Sequence, residues 1–218
     1  MSRRIHDLTP ANLGDLPATC RSCVFWEVAG APQGPRAGEE ETAAACKEAW
    51  WQATQLEWGT PGKIAYVDGE PVAYACFGPA EHFARTRRFA ATVSDDALLL
   101  AALWVHPAHR HAGLAKALLQ SVLREASRRG NRAVEAFATR TPAFDGLLST
   151  CLLPEDFLLA SGFEVLDDHD DNPLLRLDLR KTVRWQESVG HALEGVISVL
   201  SRRERAPVPA RPAMEARR

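Results

Sequence analysis

No apolar run in this 218-residue sequence approaches the ~20 residues that cross a bilayer. The opening Met1-Ser2-Arg3-Arg4 lacks the apolar core of a signal peptide. No membrane partner is expected, and a cytoplasmic protein is. A surplus of one charge is missing too: 26 Lys and Arg face 28 Asp and Glu, a formal net charge of −2. Nothing in that balance argues for nucleic acid or an anionic surface. The five cysteines (Cys20, Cys23, Cys46, Cys76, Cys151) are odd in number and scattered, so they do not read as a disulfide framework. No internal repeat is found. Tyrosine is scarce, with Tyr66 and Tyr74 alone, which bears on the chemistry below.

What is present is ordinary globular composition, 46% hydrophobic and 25% charged, enough for a proper core. A Gly, Pro and Ala-rich loop over 29–38 precedes a helix over 41–57, with Cys46, Trp50, Ala53 and Leu56 as its apolar stripe. Segments 63–67 and 72–77 flank Asp68-Gly69, a hairpin turn whose central positions need positive φ. After a loop over 79–92, residues 97–105 form a nearly unbroken apolar run, the pattern of a strand buried on both faces. A helix over 112–129 carries Ala115, Leu118, Leu119, Val122, Leu123 and Ala126 on one face and stops at Gly130. A strand over 133–138, a short helix over 154–161, and strands over 163–166 and 174–179 complete a mixed α/β order around one sheet. An amphipathic helix is expected over 181–205, and a disordered Pro- and Arg-rich tail over 206–218.

The informative stretch is Leu103-Trp104-Val105-His106-Pro107-Ala108-His109-Arg110-His111-Ala112-Gly113-Leu114-Ala115. A strand runs into a loop and a helix starts at once. Unpaired N–H groups at a helix N-terminus carry partial positive charge and bind phosphate. Gly113 permits close backbone approach, Ala112 and Ala115 add no bulk, and Arg110 adds a formal charge. The run is neither a Walker loop nor a dinucleotide fingerprint.

The pattern Arg110-x-x-Gly113-x-Ala115, after Val105-x-Pro107, resembles the acyl-CoA signature of the GNAT superfamily of N-acetyltransferases, as does the Ser161-Gly162-Phe163 step downstream. The resemblance spans about 63–179 and implies a single α+β domain over 1–180, with a central, mostly antiparallel sheet splayed at its fourth and fifth strands and flanked by helices. It implies that the backbone of Leu103 and Val105 pairs with the pantetheine arm of acetyl-CoA. The amides of Arg110, His111, Ala112, Gly113, Leu114 and Ala115 would take the pyrophosphate, and Arg128, Arg129 and Arg132 stand as candidates for the 3′-phosphate or as a solvated helix end. The implied reaction is direct attack of a primary amine on the thioester; the acceptor is a small molecule or a peptide. A catalytically weak acyl-CoA-binding protein with a sensing or partner-binding role is the alternative. A homodimer is compatible with either.

Two departures from the family pattern affect catalysis. The strand over 97–105 holds no Glu or Asp, and the helix before Gly162 holds no tyrosine. Glu27, set among Val24, Phe25 and Trp26, and Cys151 are the candidate catalytic groups; an edge-strand acid and a buried structural cysteine are the bland alternatives. Asp95 and Asp96 read as a loop. Cys20-x-x-Cys23 supplies two ligands where a structural zinc needs four, so packing cysteines are expected. His106, His109 and His111 read as anion contacts or solvated side chains, and no metal is expected. Trp26, Trp50, Trp51 and Trp58 lie where this fold lines the acceptor side, and read either as core or as an aromatic wall.

Overall fold

Asp68 and Gly69 adopt φ of 51° and 94°, the paired left-handed conformation that matches a two-residue turn to the twist of its strands. The turn joins β2 (Gly62–Val67) to β3 (Glu70–Gly78). The structure, a computed structural model, describes residues 2–34, 36–140 and 151–180. The helix and tail expected over 181–218 lie outside them.

In chain order the elements are β1 (Arg3–Asp7), α1 (Ala18–Arg21), α2 (Glu40–Glu57), β2, β3, β4 (Ala97–Val105), α3 (Leu114–Arg128), β5 (Ala133–Thr139), β6 (Leu153–Pro154), α4 (Glu155–Ala160), β7 (Glu164–Asp167) and β8 (Leu174–Asp178). The expected segments form with shifts of a residue or two, and short 3-10 turns occupy 80–82 and 84–88 of the expected loop. The sheet runs β1-β2-β3-β4-β5-β8-β7, with β6 attached to β5. Its pairings are antiparallel except β4 with β5 and β5 with β6. Two cores lie on its two faces. One gathers Leu118, Val122 and Ala126 of α3 against Leu98, Leu100 and Val134. The other gathers Phe25, Trp26 and Trp51 against Leu99, Ala101 and Phe137.

Three features differ from the sequence reading. β1 was not expected. Its alternation is masked by charge, and it forms by pairing along the open edge of β2, from Arg3 opposite Val67 to Asp7 opposite Lys63. The buried face of α2 is Lys47, Trp51 and Thr54, while Cys46, Ala53 and Leu56 point outward. A charged residue on the core face makes an apolar stripe select the neighbouring one. In β4 only the first half is sealed, since residues 102–105 are half-buried.

α3 ends as its sequence suggests. Gly130 takes φ of 83°, and the amides of Gly130 and Asn131 return to the carbonyls of Ser127 and Ala126, which closes the last turn. Among the described residues no helix is long and apolar enough to cross a membrane.

Candidate active site

β4 and β5 are hydrogen-bonded neighbours over a short stretch: Ala97 with Ala133, Leu98 with Val134, Leu99 with Glu135. A clamp sits at that end. The carboxylate of Glu135, fully buried, accepts from the Ser94 amide at 2.9 Å and from Arg176 Nη1 at 2.7 Å. Arg176 also grips both oxygens of Asp96, at 2.8 and 3.0 Å, and holds that carboxyl below its ordinary value. Asp96 is thereby part of the clamp. Beyond Leu99 the two strands separate into a wedge, and β6 takes up β5 at Ala138 and Thr139, past the point where β4 has left it.

A β-bulge sets which atoms face the wedge. Cys76 of β3 lies opposite Ala102 and Phe77 opposite Leu100, so Ala101 is an extra residue on β4. Ala101 and Ala102 consequently share one core while Leu100, Leu103 and Val105 pack on the other. The His106 amide donates to Val72 O at 2.8 Å. Antiparallel alternation then directs the backbone groups of Trp104 and Ala102 at β3 and those of Leu103 and Val105 into the wedge. Residues 100–105 offer about 20 Å of strand edge there.

At the mouth of the wedge, β4 passes through a 3-10 turn, Pro107–His109, to α3. His106 Nδ1 accepts from the Ala108 amide at 3.2 Å, and Arg110 Nε makes a long contact to Val105 O at 3.5 Å. His111 at φ 60° and Gly113 at φ 79° are left-handed, a backbone form that turns amides into a shared concavity. The first helical bond of α3 runs from the Ala117 amide to Gly113 O. Among the described residues, the amides of residues 111–116 have no acceptor, whereas that of Arg110 bonds Pro107 O at 3.3 Å. The open set thus starts one residue later than the sequence motif and extends to Lys116. Among the described residues, a Cβ at Gly113 would meet nothing within 4 Å. Arg3 of β1 reaches the same loop, its Nη1 donating to Ala112 O at 2.8 Å. No local signal could have revealed that cation, 109 residues away in the chain.

The other candidates separate. Arg128 and Arg129 sit at the far end of α3, about 20 Å from its start, bonded to Glu125 at 2.6 and 2.7 Å. Arg129 also lies over Trp58, 3.9 Å from its centroid. Arg132 faces Asp96 at 3.8 Å. Trp26 and Trp51 are core residues, and Trp50 packs on Phe83 and donates to His82 O at 2.6 Å. His106 packs edge-on against both Trp104 and His109, and no group of three or more metal-ligating side chains is found among the described residues.

Glu27 lies in a turn rather than on an edge strand. It is buried and paired with Lys47, Oε1 to Nζ at 2.6 Å, and among the described residues Oε2 has no hydrogen-bond partner. Lys47 Nζ also donates to Cys23 O at 2.6 Å. Burial opposes its charge, but the Glu27 carboxylate outweighs it and holds the ammonium above its ordinary value. Cys151 Sγ lies 3.2 Å from Cys23 Sγ, and Trp26 Nε1 donates to Cys151 O at 2.9 Å. Cys20 and Cys23, the spaced pair in sequence, face different surroundings: burial pushes the Cys20 thiol up to about 11.

A sheet that parts beside a helix N-terminus with open amides is the architecture of a nucleotide-thioester acyltransferase. The sequence profile of the acetyltransferase (GNAT) family matches residues 25–145, and the chain belongs to that family. Solved structures with the same fold include an N-acetyltransferase from Staphylococcus aureus Mu50, 16% identical, with a TM-score of 0.55 over 82% of this chain and 99% of that one. The PaiA N-acetyltransferase of Thermoplasma acidophilum, in complex with coenzyme A, is 14% identical with a TM-score of 0.54 over 82% and 99%. YncA of Salmonella typhimurium, with acetyl-CoA, is 20% identical with a TM-score of 0.54 over 82% and 95%. Comparison with curated protein sequences returned no match.

Proposed function

We propose that the protein binds acetyl-CoA along the wedge and transfers its acetyl group to a primary amine of a small molecule or peptide. The observation that carries this reading is the row of open amides over residues 111–116, beside a wedge that presents the backbone of Leu103 and Val105. Acetyl-CoA supplies an activated acyl group as a thioester. His111, Ala112, Gly113, Leu114 and Ala115 hold its pyrophosphate through their amides, with Arg110 and Arg3 adding positive charge. The free space over Gly113 accommodates an anion where a side chain would obstruct it. Leu103 and Val105 align the arm, and the Leu103 amide polarises the acyl carbonyl. No carboxylate lies on β4 and no tyrosine on α4. The unpartnered Oε2 of Glu27 is the group we assign to the acceptor's proton.

Acetyl-CoA at a hundredfold excess over its Kd should raise the melting temperature by about 5–10 °C. Thiol release with a panel of amines then reports turnover. Absence of any shift at millimolar acetyl-CoA would overturn the reading, and a shift without thiol release for any amine would reduce it to a binding protein.

A further inference from the structure

The mechanism leaves one reactive group unused. Cys23 follows α1 and Cys151 precedes β6, 128 residues apart in the chain, yet their sulphurs lie 3.2 Å from each other. Each is fixed by a bond that does not involve sulphur. Lys47 Nζ holds the carbonyl of Cys23 at 2.6 Å, and Trp26 Nε1 holds the carbonyl of Cys151 at 2.9 Å. The contact is therefore built by its surroundings. Both residues are half-buried, which leaves a small oxidant a route to them, whereas Cys20 and Cys76 are sealed. Cys46 is exposed on the outer face of α2. The hydrogen bond between the two sulphurs lowers the Cys23 thiol, against the opposing effect of burial. Burial pushes Cys20 and Cys76 up. Cys23 is thus the sulphur of the pair that gives up its proton more readily, and the thiolate is the reactive form.

We propose that Cys23 and Cys151 are a redox-active dithiol, a modification site for hydroperoxides that is separate from acetyl transfer. The Cys23 thiolate attacks one oxygen of the hydroperoxide. An S–O bond forms, the O–O bond breaks, and the leaving oxygen takes a proton to give water or an alcohol. Cys151 then attacks the sulfenic sulphur of Cys23. The S–S bond forms, the S–O bond breaks, and the departing hydroxide leaves as water with the Cys151 proton. Two thiols lose two electrons and the peroxide gains them. The sulphurs need to close by about 1 Å to reach the ~2.05 Å of a disulfide. The bond ties the segment after α1, and through Lys47 the helix α2, to the residues that enter β6 beside the open end of the wedge.

The test is thiol mapping of the reduced full-length protein after stoichiometric hydrogen peroxide. Free thiols are blocked, the chain is digested with trypsin, and peptides are assigned by mass. Cleavage after Arg21 separates Cys20 from Cys23, so the two possible partners are resolved. The expected result is loss of two of five thiols and one linked pair joining the Cys23 and Cys151 peptides, reversed by dithiothreitol. Cys23→Ser and Cys151→Ser should each abolish the link, and Cys46→Ser should keep it. The wild-type map stands alone if a variant does not fold. A Cys20–Cys23 link, oxidation confined to Cys46, or five intact thiols would overturn the proposal.

Discussion

Glu27→Ala should lower the free energy of unfolding by about 3–5 kcal/mol. The substitution removes a carboxylate whose Oε1 lies 2.6 Å from Lys47 Nζ, with both side chains at 6% exposure or less. What remains is an ammonium inside the core, still bonded to Cys23 O but without a counter-charge. The cost is mainly that of the orphaned charge, so Glu27→Leu with Lys47→Met should recover most of it. Chemical denaturation of the three proteins measures this. A loss below 1 kcal/mol in the single variant would show that water reaches the pair. Because Lys47 is held above its ordinary 10.5, its contribution is complete below that pH and is lost only as pH rises through the higher folded value. Comparisons at pH 7 and 8 should therefore agree. Glu27→Gln also leaves Lys47 without a counter-charge, so turnover is read per folded molecule: with Oε2 taking the acceptor's proton, kcat falls while acetyl-CoA affinity stays.

Gly113→Asp should weaken acetyl-CoA binding by roughly 30–150-fold while leaving stability within about 1 kcal/mol, as two to three kcal/mol of charge repulsion implies. Gly113 sits at φ 79°, a region that Asp and Asn enter at modest cost. A Cβ there enters open space, so the penalty arises where a phosphate would lie. Gly113→Asn has nearly the same shape without the charge and should bind clearly better than the Asp variant. The difference should shrink as salt rises. Titration calorimetry on the three proteins decides the matter, and equal affinities for wild type and the Asp variant would remove the loop from the donor site.

The parts of this site that sequence reveals are the local ones. A buried strand, a turn held by Pro107 and a helix opening at Gly113 are consecutive in the chain, and their residue types state their conformations. The turn at Asp68-Gly69 and the stop at Gly130 are legible for the same reason. The face of α2 is not, because the core there accepts Lys47, whose burial depends on Glu27 twenty residues away. The contact of Arg3 with the anion loop depends on β1 pairing with β2. The Cys20-x-x-Cys23 spacing says nothing of the contact Cys23 does make, since Cys151 lies 128 residues away in the chain. The clamp of Glu135, Asp96 and Arg176 joins three segments whose acids and base look like surface residues when read singly.

The bulge at Ala101 makes the donor site depend on counting. Whether a given backbone amide faces β3 or the wedge alternates residue by residue, and the extra residue fixes whether odd or even positions of β4 look outward toward the ligand. Deleting Ala101 would preserve the composition and hydrophobicity of the strand almost unchanged. Kept in register with β3 beyond that point, residues 102–105 would keep their places and the strain would fall on the three-residue junction with β5. Kept in register with β5, Leu103 and Val105 would turn to β3, and the wedge would present Ala102 and Trp104. Chain length between residues 97 and 105 is therefore under tighter constraint than residue identity, and a homologue with any apolar sequence of the same length could build the same edge.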